Sequence, residues 1–336
     1  MRCPSLAELP PPPSTKKGWP WTEESSQLPR EVRDEHFWPR ITVITPSFNQ
    51  GRFIEETLRS VLLQGYPELE YLVLDGGSTD NSVEIIKKYS PWLTYWVSEP
   101  DSGQSDAINR GLHRASGTFA TWVNSDDMLC RNALIAHSNQ VGFDRNTVYV
   151  GDCRYLDETK HLVWTHRGRV HSLEDLLRVK TVWRSGGNIV QPEVLFPVEL
   201  ALQVGCLNPD NHFTMDYELW GKFFLAGATF QYTGIDFGVF RKHSAQKTQD
   251  LLRQTGSLLS VARNLLAQSH GFGDETKKEI LKELEEYCRT YPLQYWRTTG
   301  RLARLGLPPA IVQPLRRMTV SLQKTAKIFL GEKKFR

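Results

Sequence analysis

Three apolar runs in the first part of the chain each end in a polar or acidic cluster, and the stretches between them carry helical spacing. The first run is Ile41-Thr-Val-Ile-Thr-Pro-Ser-Phe-Asn49 and the second is Tyr71-Leu-Val-Leu-Asp-Gly-Gly-Ser-Thr-Asp80. The third is Phe119 to Val123, followed by Asn124-Ser-Asp-Asp127. After the first, Ile54, Leu58, Val61 and Leu62 recur at the helical period and make one buried face, with Asn49 placed to cap the helix and Gly65 and Pro67 to end it. After the second, Asp80 or Asn81 caps a helix carrying Val83, Ile85, Ile86 and Tyr89. Leu93 to Val97 reads as a further strand, and residues 104–115 as a helix with Ala107, Ile108 and Leu112 on one side. Strands and helices alternating at about 25-residue spacing require a parallel sheet with right-handed crossovers. The expected fold class is α/β, a mostly parallel sheet flanked by helices. In such open sheets ligands sit beyond the carboxyl ends of the strands. The polar strand ends are therefore expected to converge on one site.

Further along, the pattern predicts a helix at 130–140, then strands at Val148 to Val150 and Leu162 to Trp164 that would run antiparallel. A helix at 216–226 and a strand at Phe230 to Tyr232 follow, and then helices at 246–268 and 275–289 with a looser one after 310. Residues 1–38 are rich in proline (Pro10 to Pro13) and tryptophan (Gly18-Trp-Pro-Trp21, Trp38); such a segment cannot bury a core of its own and is expected to pack along the main domain. The five cysteines are scattered and odd in number, which argues against a disulfide framework or a zinc site and fits a reducing compartment. No run of eighteen apolar residues predicts a transmembrane helix, and the Pro-rich start does not read as a secretory signal. The net charge of +3 conceals a basic segment, Tyr295 to Arg336, with ten Lys/Arg against Glu332 alone, which leaves −6 on the preceding 294 residues. Such a segment suits either a solvated helical face or an anionic membrane surface. Nucleic acid is disfavoured because the body is acidic and no recognition motif accompanies the tail.

Asp75 follows four apolar strand residues and precedes Gly76 and Gly77, so it faces something that approaches the backbone closely, or else closes a Gly-rich turn on itself. Asn124-Ser125-Asp126-Asp127 places oxygen donors at a strand end, a set suited to hard cations as well as to an acidic turn. Asp216 stands where a helix begins and could cap it or serve as a base. In their order these motifs resemble the nucleotide-sugar-binding half of family 2 glycosyltransferases, inverting enzymes of the GT-A fold. The resemblance spans residues 39–250, with 1–38 a Pro/Trp-rich segment and 251–336 a helical, basic extension.

The resemblance implies that Thr45, Pro46, Ser47 and Asn49 hold the base, and that Asp75, Gly76 and Ser78 meet the nucleoside. It implies ribose or sugar contacts for Gln104, Asp106 and Asn109, in Glu99-Pro-Asp-Ser-Gly-Gln104-Ser-Asp106-Ala-Ile-Asn109-Arg-Gly111. Asn124-Ser125-Asp126 stands at the family's Asp-x-Asp motif, which implies donor contacts for Asn124 and Ser125. Asp126 would be a ligand to Mg²⁺ or Mn²⁺, and His243 of Phe240-Arg-Lys-His would complete the shell. Asp216 is implied as the catalytic base, Glu218 as its fallback, and Gln191-Pro-Glu193 as a wall on the acceptor side. Asn124 and Met215 depart from the family pattern, since acids are usual at both positions. The Gln-x-x-Arg-Trp signature of processive synthases is absent, which points to single-sugar transfer. The expected activity is metal-dependent, inverting transfer from a nucleoside-diphosphate sugar to a glycan or lipid-linked acceptor in cell-surface polysaccharide synthesis. The expected setting is the cytoplasm, peripherally at the inner face of the membrane. A catalytically weak nucleotide-sugar sensor is the alternative. A nucleotidyltransferase would need a Gly-rich phosphate loop where Pro46 to Asn49 stand, and a dehydrogenase would need G-x-G-x-x-G.

Overall fold

The computed structural model describes residues 3–29, 38–140, 142–159, 161–243, 246 and 251–304. The helix expected after 310 and most of the basic segment lie outside them.

The first half alternates as expected. Strands β1 (Ile41–Ser47), β2 (Leu69–Asp75), β3 (Tyr95–Ser98) and β4 (Phe119–Trp122) are separated by helices α1 (Ile54–Leu62), α2 (Ser82–Tyr89) and α3 (Gln104–Arg114). The two-residue strand β5 (Met128–Leu129), helix α4 (Ala133–Gln140) and strands β6 (Thr147–Leu156) and β7 (Leu162–Arg167) follow. Next come α5 (Leu173–Leu177), β8 (Val194–Pro197), α6 (Val198–Gln203), α7 (Met215–Leu225) and β9 (Thr229–Arg241). Helices α8 (Leu251–Gln268) and α9 (Asp274–Arg304) complete the described chain. Among the described residues no helix is long and apolar enough to cross a membrane.

The strands form one sheet in the order β3-β2-β1-β4-β8-β6-β9-β5, with β7 paired to β6 off this path. From β3 to β4 every pairing is parallel. Beyond β4 the sheet is mixed: β8 runs antiparallel to both its neighbours, β6 and β9 pair parallel, and β7 is antiparallel to β6. Parallel register aligns the strand ends, setting Ser47 opposite Asp75 and Asp75 opposite Ser98. Side chains alternate across the strands. Ile41, Val43, Tyr71 and Val73 pack under α1, α2 and α4, while Ile44, Leu72, Leu74 and Trp122 pack against α3 and the helices from α5 onward. Trp122 and Trp220 of α7 stack at 5.7 Å in that second layer.

Two glycines bring α3 to the strand ends. A Cβ on Gly111 would lie 2.7 Å from the Ile44 side chain, so its absence lets the helix close onto β1. Gly103, at φ +108°, turns the chain into the first helical residue, Gln104, a conformation that L side chains rarely adopt. Asn49 does not cap α1, which begins at Ile54. Its backbone is left-handed (φ 53°), a region Asn tolerates, and its Oδ1 accepts from Thr79 N at 2.8 Å. Asn81 holds the cap position of α2 without a side-chain cap bond, and Asp80, one residue earlier, accepts from Ser82 N at 2.9 Å.

The Pro/Trp-rich segment is held by a buried cation. Arg59 on α1 is fully buried and donates to the carbonyls of Pro20 (3.0 Å), Pro10 (2.9 Å) and Trp21 (3.1 Å), and to Tyr89 Oη (3.0 Å). Trp21 Nε1 donates to Glu56 at 2.9 Å, and Cys3, Leu9 and Trp21 are buried. Arg59→Met keeps the bulk of the side chain but strands these acceptors. It should lower stability by about 3 kcal/mol and make residues 3–29 the first site of proteolytic cleavage, which urea unfolding and timed proteolysis would read.

Candidate active site

At the ends of β1 and β2 the side chains bind one another. Asp75 is buried, with its Oδ1 accepting from Ser78 Oγ (2.6 Å) and its Oδ2 from Ser78 N (2.9 Å) and Ser98 Oγ (2.7 Å). Asn49 N donates to Ser78 Oγ at 2.7 Å, so the loops after both strands are joined. A carboxylate has about four acceptor positions, so Asp75 keeps one for a ligand N–H. Gly76 N donates to Ser47 O at 2.8 Å, and the Ser47 hydroxyl is buried without a partner among the described residues. Thr45 lies beneath the sheet surface, its Oγ1 3.0 Å from Tyr71 Oη, and Pro46 is buried beside it.

The end of β4 meets the end of β9. Asn124 Oδ1 accepts from Gln104 Nε2 (2.7 Å), while its Nδ2 donates to Asp127 Oδ2 (3.2 Å) and Gln191 Oε1 (3.2 Å). Gln191 Nε2 donates in turn to Trp122 O. Asp126 Oδ2 lies 3.0 Å from His243 Nε2, and that imidazole stacks on Phe53 at 4.5 Å. Asp127 is buried; burial first, and then the charge of Asp126, holds its carboxyl well above the usual carboxylate range. Ser125 is buried, and its carbonyl accepts from Thr57 Oγ1 at 2.8 Å.

Arg241 closes this corner from below. It is buried, pairs with Glu56 at 2.7 Å and donates to Thr57 Oγ1 at 2.9 Å and to the carbonyls of Phe53 (3.4 Å) and Asp127 (3.3 Å). Its Nε donates to Asp126 O, and its backbone N to Asp127 Oδ1 at 3.1 Å. Gln246 clasps the same loop, bonding Arg241 O (2.6 Å) and His243 N (3.2 Å).

Asp216 lies in the first turn of α7, one residue after Met215, so Thr214 rather than Asp216 holds the cap position. Half-buried, it takes Tyr217 N at 2.8 Å and has no side-chain hydrogen-bond partner among the described residues. Burial pushes its carboxyl up to about 6, against the opposing pull of the Tyr217 amide and the Arg184 charge. Met215 Sδ accepts from Ser105 Oγ at 2.9 Å, which docks the start of α7 on the start of α3. Glu218 faces elsewhere, accepting from Asn211 Nδ2 at 2.7 Å and Asn208 Nδ2 at 3.3 Å.

Comparison with known proteins places this arrangement. Residues 42–197 match the model described as Glycosyl transferase family 2. Residues 42–197 form a family 2 glycosyltransferase domain. An uncharacterized glycosyltransferase of Rickettsia typhi is 24% identical over 228 residues, covering 66% of this chain and 70% of that protein. TuaG of Bacillus subtilis, named as a teichuronic acid biosynthesis glycosyltransferase, is 37% identical over 99 residues, 29% of this chain and 39% of TuaG. Among solved structures, the mannosyltransferase PcManGT of Pyrobaculum calidifontis in complex with GDP-Man and Mn²⁺ aligns with a TM-score of 0.54 at 21% identity, covering 90% of each chain. At that identity the structural likeness shows the fold: an α/β sheet with flanking helices, as in other GT-A glycosyltransferases, here with C-terminal helices.

Within the family 2 domain the polar strand ends fall into two neighbouring networks. Asp75, Ser78 and Asn49 form one network, and Gln104, Asn124, Asp126 and His243 lie in a second at the neighbouring strand end. Two residues expected at the donor are engaged elsewhere. Asn109 exchanges both amide groups with the Leu207 backbone (2.8 and 3.0 Å) and so pins that loop. Asp106 takes Ser102 N (3.0 Å) and pairs with Arg110 (3.0 Å), acting on its own helix start. Arg241, Glu56 and Phe53 were not singled out from the sequence. The only signal for Arg241 was its position two residues before His243. Arg241→Met breaks the buried ion pair with Glu56 and removes the donors to the Phe53, Asp126 and Asp127 carbonyls, and should cost about 3–5 kcal/mol. In urea unfolding, Glu56→Met added to it should recover part of that loss.

Proposed function

We propose that the chain transfers a single sugar from a nucleoside-diphosphate sugar to a hydroxyl of a glycan or lipid-linked acceptor, with inversion, and that Asp216 is the base. The observation that carries this reading is the Asp216 carboxyl itself. It is half-buried, free of any side-chain hydrogen bond among the described residues, and pushed up to about 6 beside the Ser105–Met215 contact that joins α7 to α3. A carboxyl so placed can take the proton of the attacking hydroxyl near neutral pH. The bound GDP-Man of PcManGT supports a nucleotide-sugar donor, and the name of TuaG supports a cell-surface glycan acceptor.

Asp75 and Ser78 would meet the nucleoside, the former through its one remaining acceptor position, and Asn124 and Gln104 the sugar-phosphate side. For a divalent cation the available donors are Asp126 and His243; no cluster of three or more His, Cys, Asp or Glu suited to a metal occurs among the described residues. That fits Mg²⁺ or Mn²⁺, which bind through one or two protein groups plus water and substrate phosphate. When bound, the ion would neutralise charge on the diphosphate. Arg241 holds the backbone of Asp126 and Asp127 in place, and Phe53 orients the His243 ring. The Met215 departure favours a second reading, a nucleotide-sugar sensor on the same fold. Turnover separates the two.

Asp216→Asn should lower turnover by roughly 10²–10⁴ and leave donor affinity nearly intact; collapse of donor binding would make Asp216 structural. Because the base must be ionised, kcat/KM should rise with pH and level off above about 6. The sign for stability is opposite: a raised carboxyl contributes most below about pH 4 and loses that contribution as pH rises through its folded value. Asp126→Ala should weaken nucleoside-diphosphate binding, read as a melting shift, mainly when Mn²⁺ is present. Equal loss with and without the ion would remove Asp126 as a ligand.

A further inference from the structure

Register sets three aromatic rings in a row across β7, β6 and β9. Tyr155 on β6 is opposite both Trp164 on β7 and Phe240 on β9. Tyr155 stacks on Trp164 at 4.3 Å with 15° between the planes, and Phe240 lies 4.9 Å from Tyr155. Lys242, two residues beyond Phe240 and so on the same face, places its ammonium 3.9 Å from the centre of the Trp164 ring.

The outer end of the row is exposed and its face is partly covered. Gly238 precedes Phe240 on that face, and a Cβ there would lie 2.2 Å from Pro192 O. The face is therefore the one covered by Gln191-Pro-Glu193, whose Gln191 reaches Asn124. Burial first, then the charges of Cys153, Glu193, Asp127 and Asp216, push the Tyr155 phenol up. At the outer end Trp164 is 40% exposed and Leu162, on the same strand, 55%. Cross-strand aromatic pairs stabilise a sheet, which accounts for Tyr155 and Phe240. It does not account for an indole that stays 40% exposed on an edge strand, with a lysine over its ring that has no acidic partner among the described residues.

We propose that this row is an acceptor subsite, in which a pyranose ring of the acceptor glycan stacks on the Trp164 indole and a negatively charged substituent, carboxylate or phosphate, pairs with Lys242. The inference rests on the transferase reading for the word acceptor, but not for the binding itself. The C–H face of a pyranose is apolar and suits the electron-rich face of an aromatic ring. A charge-assisted contact to a lysine adds selection for acidic sugars.

The test is binding of the full chain to an array of defined oligosaccharides, in which uronate-bearing, phosphate-bearing and neutral members share a backbone. Wild-type protein should bind charged members over neutral ones, and the uronate and phosphate arms identify the source of the charge. Trp164→Ala should weaken binding roughly tenfold and Trp164→Phe should restore most of it. Lys242→Gln should abolish the preference for charged members while retaining binding to neutral ones. Failure of the wild type to bind any member, or unchanged binding by Trp164→Ala, would overturn the inference. The nucleotide melting shift of the wild type is read separately, so loss of the donor reading and loss of the subsite are distinguishable.

Discussion

The buried guanidinium of Arg241 is the point at which the separate parts of the crevice are tied together. It balances Glu56 of α1, holds the carbonyls of Phe53, Asp126 and Asp127, and donates to Thr57, which itself binds the carbonyls of Ser125 and Asp127. A charge buried this deeply is tolerated because its donors are matched. The same matching fixes the turn after β4 relative to α1 and β9, and the carboxylate of Asp126 is thereby presented to His243. Loop residues separated by more than a hundred positions are held by groups that cannot relax into water.

The parallel register makes the second contribution. Aligned ends bring Ser47, Asp75 and Ser98 into one row, and the hydroxyls of Ser78 and Ser98 together with the Ser78 amide occupy most of the acceptor capacity of Asp75 before any ligand arrives. The Asn124 amide plays a comparable part at β4, joining Gln104, Asp127 and Gln191. An aspartate at that position could not donate, and would add a negative charge beside Asp126 and Asp127. The departure from the family pattern thus fits a corner in which burial, and then the charge of Asp126, already push the carboxyl of Asp127 up.

Much of this was legible in the sequence where a local rule operates. The first four strands, their helices and the polar ends follow from period and turn chemistry, and β6 and β7 pair antiparallel as their short spacing suggests. The two-residue β5 has no pattern to read and exists only through its pairing with β9. Asn49 was misread because Asn suits a helix cap and a left-handed turn equally; the Thr79 amide, thirty residues away, decides between them. Asn109 matched a motif, yet its partner is the Leu207 backbone, which no sequence period announces. Arg241 and Glu56 were invisible for the same reason: a buried pair 185 residues apart looks, in sequence, like two surface charges.

Strand β7 hangs on β6 alone, at the side of the sheet. Its residues carry no ladder beyond that one partner, and none of the networks around Asp75, Asn124 or Arg241 passes through it. Substitutions and length changes in the β6–β7 hairpin can therefore accumulate without disturbing the geometry of the crevice. Divergence within such a scaffold has a natural outlet here: one side of the molecule is free to change what it recognises while the other keeps its chemistry.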